Sequence, residues 1–372
     1  MVSSTYFTDF LSEIRPTQAQ TKSLQEAHKR LRERLVGDDY LGPRIISVFL
    51  QGSYRRSTAI RPQGDDKLDV DLVVVTRFRR EDYPIADDVM EEFTTFLNKH
   101  YKGKWKRKGR SLGIELSNLK LDIVIAADPS EEEIWETDFA KGYFTPDDLS
   151  NMTAPLSDSL LEFLKTNNGE PAWKLEPLYI PDRDSHQWQR THPLEQYRWT
   201  TNKNKRTNGH YVNIVKLVKW WWRTAHPDQE YPKSYPLEHL VGDCCPDGIE
   251  SLAVGFTTVL EEMVSRFSAD AEAGIVPFVP DRGVPEHDVL KRLSSDDFCQ
   301  FIQKVKDASV IAREALESDD EADSAARWRE LFGDRFPAPP PGSSSTTATA
   351  ETKKGAFTPR TEPTRIGGGR FA

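Results

Sequence analysis

The stretch Leu68 to Thr76, LDVDLVVVT, constrains this chain more than any other. Alternation at its start, then an unbroken apolar run, predicts a strand that is open at one end and buried at the other. Side chains two apart leave the same face of a strand, so Asp69 and Asp71 point the same way. Two carboxylates this close repel each other unless a cation lies between them. The other reading is a solvated strand end, and the spacing alone leaves both open. Asp122 bears on the choice. It interrupts the apolar run Leu119, Leu121, Ile123, Val124, Ile125. It shares a face with Val124 and opposes Leu121 and Ile123, and a lone acid in such a strand needs a partner or a metal. If the two strands are neighbours, the three carboxylates of Asp69, Asp71 and Asp122 gather on one sheet edge. That is a hard-oxygen site suited to two magnesium ions.

A phosphate-binding turn stands upstream of the acids. Arg44 to Leu50, RIISVFL, is short, apolar and β-branched, hence a strand, and Gln51-Gly52-Ser53 follows it directly. Glycine lets a backbone approach phosphate closely, and the Ser53 hydroxyl and nearby amides can donate to it. The bland reading is an ordinary strand-to-helix turn. Gln51 sits at the edge, and Arg55 and Arg56 are either a solvated basic pair or a phosphate contact. Beside the acids, this turn points to nucleotide transfer. One ion would hold a triphosphate. The other would lower the pKa of an attacking hydroxyl, with Asp122 nearest the nucleophile and able to accept its proton.

Residues 4–35 carry helical periodicity, divided at Pro16, with Thr17 as a cap for the second helix. Residues 54–67 read as a loop and Pro84 to Tyr101 as an amphipathic helix. Leu112 to Leu116 and Leu119 to Ala127 read as a hairpin around Ser117-Asn118. Residues 1–154 thus form N-terminal helices and a mixed-sheet catalytic lobe. Residues 155–335 read as helical: Leu156 to Asn167, His210 to Ala225, Tyr235 to Cys244, Ile249 to Phe267, Asp296 to Ser318 and Ala322 to Phe332. Pro277 to Pro285 is a proline-rich connector. Residues 336–372 are rich in Pro, Gly, Ser and Thr, have too little apolar content to fold, and read as a disordered tail. The fold class is α+β and bilobal.

The net charge of −9 argues against wrapping long nucleic acid. Cys244, Cys245 and Cys299 have no metal-binding spacing and read as reduced thiols of a cytosolic protein. No apolar run approaches the roughly 20 residues of a membrane span, and the chain reads as cytoplasmic.

Gly52-Ser53, Asp69-Val70-Asp71 and Asp122 resemble the polymerase-beta-like nucleotidyltransferase superfamily. The run Val212 to Arg223, VNIVKLVKWWWR, followed by Lys233-Ser234-Tyr235-Pro236-Leu237-Glu238, is similar to the second lobe of oligoadenylate synthetases and of the cGAS/DncV-like nucleotidyltransferases (CD-NTases). Among the bacterial enzymes of that branch, the chain most resembles clade D. The resemblance implies that Lys219 and Ser234 hold the donor triphosphate. Lys216 shares the helix face of Lys219, and without the resemblance both read as solvated lysines. Tyr235 matches a base-stacking position, though a lone tyrosine is more often a packing residue. Lys203, in the basic run with Lys205 and Arg206, is either a solvated loop residue or a phosphate contact. Asp281 resembles part of a nucleotide-side loop. Trp220, Trp221 and Trp222 read as core or lobe-interface residues.

The function so implied is a magnesium-dependent cyclic oligonucleotide synthase. It would use ATP and GTP, with a cyclic nucleotide of two adenylates and one guanylate as the first expectation. The product would activate a separate effector in anti-phage (CBASS) defence. The resemblance further implies that the tail, ending at Ala372, is a possible conjugation terminus for a ubiquitin-transfer-like E1/E2 partner. No inserted zinc ribbon of the animal DNA-sensor type is present, so no stable DNA binding is expected. The rival readings are a linear oligoadenylate synthetase, a protein adenylyltransferase, and an inactive nucleotide-binding module.

Overall fold

The structure, a computed structural model, describes residues 2–129 and 176–339. The helix expected at Leu156 to Asn167, the 154/155 boundary, Ala372 and nearly all of the tail lie outside the described residues.

Two helices open the chain, α1 (Ser4–Ile14) and α2 (Gln18–Val36). Thr17 closes a capping box on α2: its hydroxyl accepts from Gln20 N at 3.1 Å, and its own N–H donates to Gln20 Oε1 at 2.8 Å. Strand β1 (Ile45–Gln51), the single turn α3 (Gly52–Arg55) and strand β2 (Leu68–Thr76) follow. The segment expected as one helix over 84–101 is instead a 3₁₀ stretch, Ala86–Phe93, continued by α4 (Thr94–Tyr101). Strands β3 (Trp105–Arg107), β4 (Leu112–Glu115) and β5 (Leu119–Ala126) complete a sheet of order β1-β2-β5-β4-β3. Only β2 and β5 are parallel neighbours; the other pairs are antiparallel.

Strand parity divides the sheet into two faces. Val70, Leu72, Val74, Leu121 and Ile123 pack with Leu24 and Leu31 of α2 and Phe96 and Leu97 of α4. Val73, Val75, Val124 and Ala126 pack on Leu178 and Ile180. The latter two lie on β6 (Leu178–Asp182), which pairs with β7 (Gln187–Thr191) in a hairpin.

The helical half contains α5 (Pro193–Arg206), α6 (Tyr211–Ala225), α7 (Ser234–Cys244), α8 (Leu252–Glu272), α9 (Ser295–Glu317) and α10 (Glu321–Phe332). Its core is aromatic. The three tryptophans of α6 are all buried in it, and Trp220 Nε1 donates to Phe332 O at 3.0 Å. Helix α1 belongs to this core by packing: Phe7 and Phe10 are buried against Trp328, Phe332 and Trp220. Phe336, just past the point where composition turns tail-like, is fully buried against Phe7 and Phe10.

Hairpin β6–β7 and helix α5 have no counterpart in the sequence reading. Pro181 stands within β6, and β7 is polar (QWQRT), so neither shows a strand's usual pattern. Helix α5 is mostly polar. Its signals are at its ends: Pro193 in the first turn, and Lys203, Lys205 and Arg206 in the last.

Candidate active site

Backbone pairing assembles the acids. Asp71 lies directly beside Asp122 in the parallel β2–β5 pair, and Gln51 directly beside Asp71 in the β1–β2 pair. Asp69 and Asp71 leave the sheet on the face of Val73 and Val75. Asp69, Asp71 and Asp122 each offer a carboxylate oxygen within 4.8 Å of the others.

The charges of this triad are unbalanced. Burial, then Asp69 and Asp122, pushes the Asp71 carboxyl up to about 7. Burial, then Asp122, raises that of Asp69 as well. Mutually repelling carboxylate oxygens at this spacing fit a magnesium site, because a divalent cation removes the repulsion that now favours protonation. A side-chain cation already touches the triad: Lys108 Nζ lies 2.6 and 2.7 Å from the two oxygens of Asp122.

Gly52 is required where it stands. Its φ is +75°, and an added Cβ would lie 1.9 Å from Asp71 Oδ2. Glycine therefore lets the turn carry Ser53 against the acids.

A cavity of about 410 Å³ opens between the two halves. The catalytic half contributes Gln51, Gly52, Ser53, Arg56, Asp69 and Asp71 to its lining; the helical half contributes Arg223, Ser234, Tyr235 and Asp281. Ser234 begins α7, one residue before the expected start at Tyr235. Tyr235 donates from its hydroxyl to Asp281 Oδ2 at 2.5 Å, and the Arg56 guanidinium lies 5.1 Å from its ring centre. Asp281 also accepts from Gly283 N, Val284 N and Gln196 Nε2 at 2.7, 3.1 and 3.2 Å, so it orders its loop as well as Tyr235.

The lysines are placed elsewhere. Lys219 is buried behind Glu238, donating to its Oε1 at 2.5 Å and to Thr58 O at 3.2 Å. Arg56 Nε and Nη2 donate to the same carboxylate at 2.9 and 3.3 Å. Burial opposes the Glu238 charge, but Arg56 and Lys219 hold its carboxyl down at about 2. Burial, then Arg15 and Lys219, lowers the buried Lys216 ammonium to about 7. Lys203 is not in a loop: it sits buried in the last turn of α5 and pairs with Asp247 at 2.9 Å. None of the three lines the cavity.

Arginines line it instead. Arg223 follows Lys219 by four residues on α6, on the same helix face, a spacing that could have revealed it. Arg110, Arg190 and His287 also line the cavity. They come from the turn between β3 and β4, from β7, and from the segment just after the proline-rich connector, where no local pattern singles them out.

Known proteins carry the same architecture. A protein of Enterobacter hormaechei subsp. hoffmannii named cyclic AMP-AMP-GMP synthase is 42% identical over 357 residues, covering 90% of this chain and 92% of its own. The chain belongs to the cGAS/DncV-like nucleotidyltransferases. A second CD-NTase relative, from Salmonella paratyphi B and named a probable cyclic AMP-AMP-GMP nucleotide synthase, is 42% identical over 96% of each chain. Residues 1–146 match the family described as the Second Messenger Oligonucleotide or Dinucleotide Synthetase domain. In three dimensions, a CD-NTase of Bradyrhizobium diazoefficiens solved in complex with GTP superposes with a TM-score of 0.64 at 13% identity, over 89% of this chain and 95% of its own. The bilobal α+β fold is thus that of the CD-NTases, and the chain is a nucleotidyltransferase.

Proposed function

We propose that this CD-NTase makes cyclic AMP-AMP-GMP from ATP and GTP. The observation that carries the reading is the convergence of Asp69, Asp71 and Asp122, with Asp69 and Asp71 lining a two-lobed cavity beside Gly52-Ser53. The names of the two relatives at 42% identity support the choice of product.

In this reading Asp69 and Asp71 hold two magnesium ions, with Asp122 the third ligand. Bound magnesium would neutralise phosphate charge and acidify the attacking hydroxyl. Ser53 and Ser234 bind the donor triphosphate from opposite lobes. Arg56 and Arg223, which line the cavity, supply the positive charge; Lys219 acts through Glu238 and Arg56. Tyr235 stacks on a base, its ring fixed by Asp281. A ribose hydroxyl of the acceptor attacks the α-phosphate, its proton passes to Asp122, and the bond to pyrophosphate breaks. Repetition and ring closure give the cyclic product. The product then acts on a separate effector in defence of a bacterial cytoplasm.

The test is incubation with all four NTPs and magnesium, then mass determination of the phosphatase-resistant product. Two adenylates and one guanylate in a ring support the proposal. A phosphatase-sensitive oligoadenylate supports the linear reading, and labelled protein supports adenylylation of a partner. No product from any mixture supports the binding-module reading.

A further inference from the structure

The triad has a cation of its own. Lys108 leaves the turn between β3 and β4 and crosses β4 to place Nζ on both oxygens of Asp122. The crossing is built in. Gly113 pairs with Asp122 across β4 and β5, and a Cβ there would lie 2.5 Å from Lys108 Cε and 3.1 Å from Asp122 Oδ1. A glycine inside a strand costs stability and often marks a close approach, here by the lysine stem. The turn is held by Lys108 N donating to Ser111 O at 2.8 Å, and by Arg110 donating to Asp182 Oδ2 at 2.8 and 2.6 Å. Asp122 is buried, while the Lys108 side chain is one-third exposed. The ammonium can therefore withdraw to solvent, whereas the carboxylate cannot.

We propose that Lys108 is an internal counter-ion that occupies the metal site through Asp122 and is displaced when a divalent cation enters. The inference rests on the reading of the triad as a metal site. Lys108 now holds both oxygens of Asp122, so a divalent ion entering there takes one of these contacts and repels the ammonium. Lys108 then sets how much metal the enzyme needs, and it is a positioning residue, not a catalytic one. It also steadies three crowded carboxylates while no metal is bound.

Manganese binding to the full-length protein, followed by electron paramagnetic resonance of the free ion, tests this without reference to activity. The wild type and the Lys108→Met and Lys108→Gln variants are compared, with folding checked by circular dichroism. Both variants are expected to bind manganese about tenfold more tightly than the wild type, from loss of one competing charge. Their metal-free melting temperatures should fall, and manganese should raise them by more than it raises that of the wild type. Unchanged or weaker binding in folded variants would overturn the role of Lys108 and leave the metal reading intact. A wild type that binds no manganese, or binds it equally after Asp69→Ala/Asp71→Ala, would overturn both. If neither variant folds, Lys108 is a required structural ion-pair partner and the displacement proposal fails.

Discussion

A Cβ atom on Gly52 would lie 1.9 Å from Oδ2 of Asp71. The phosphate turn and the central carboxylate thus occupy adjoining space that only a glycine leaves free. Gly52→Ala must strain a backbone at φ +75° and push the carboxylate away. The expected cost is about 2 kcal/mol of stability and a loss of about a hundredfold in kcat from misplaced groups. Urea unfolding and initial rates measure the two separately, and a variant with full activity would contradict the tight fit.

The three groups Arg56, Glu238 and Lys219 tie the turn after β1 to helices α6 and α7. Removing the shared carboxylate leaves two buried cations uncompensated. Glu238→Gln is expected to destabilise the protein by about 3 kcal/mol. The acid dependence has a definite sign. The Glu238 carboxyl is depressed from 4.5 to about 2 in the folded protein. Its contribution is therefore complete above 4.5 and is lost as pH falls towards 2. Unfolding followed over that range should show a flatter profile in the variant.

Asp71 behaves in the opposite sense. Its carboxyl is raised from 3.8 to about 7, so the metal-free folded state binds more protons than the unfolded chain between these values. Without metal, stability should fall as pH rises through that window. Asp71→Asn should flatten the profile and stabilise the metal-free protein at neutral pH by about 1 kcal/mol, while lowering turnover at least about a hundredfold. Calorimetry in chelator, paired with product assays, gives both results. A destabilised variant would show that the triad is not repulsive.

Arg223 and Lys219 share a helix face but have different surroundings. Arg223→Ala is expected to raise the KM for ATP about tenfold, through loss of a charge-assisted contact, and to leave the melting temperature nearly unchanged. Lys219→Met should chiefly lower stability, since its partner is buried Glu238. Steady-state kinetics and thermal melts on the two variants distinguish these outcomes.

What the sequence discloses about this site follows from periodicity. Strand parity alone puts Asp69 and Asp71 on one face, and the misplaced acid at 122 points to a neighbouring strand; β2 and β5 then pair with Asp71 beside Asp122. Helices with strong apolar stripes, such as α6 and α10, are legible for the same reason. Strand β7 and helix α5 are polar and Pro181 interrupts β6, so burial left little periodic mark on them. Lys219 could not be located from its position in a helix, because Glu238 and Arg56, which hold it away from the cavity, are remote in sequence. Lys108 was invisible for a related reason: its contact with Asp122 depends on the empty space over Gly113.

In the proposed function the carboxylates of Asp69 and Asp71 carry nucleotide transfer. Incubation of the full chain with α-phosphate-labelled ATP, GTP and magnesium tests it most directly, with Asp69→Ala/Asp71→Ala as the paired protein and folding of both confirmed. A phosphatase-resistant labelled product is expected from the wild type, dependent on magnesium, and none from the folded double variant. Equal labelling by the two proteins would contradict it.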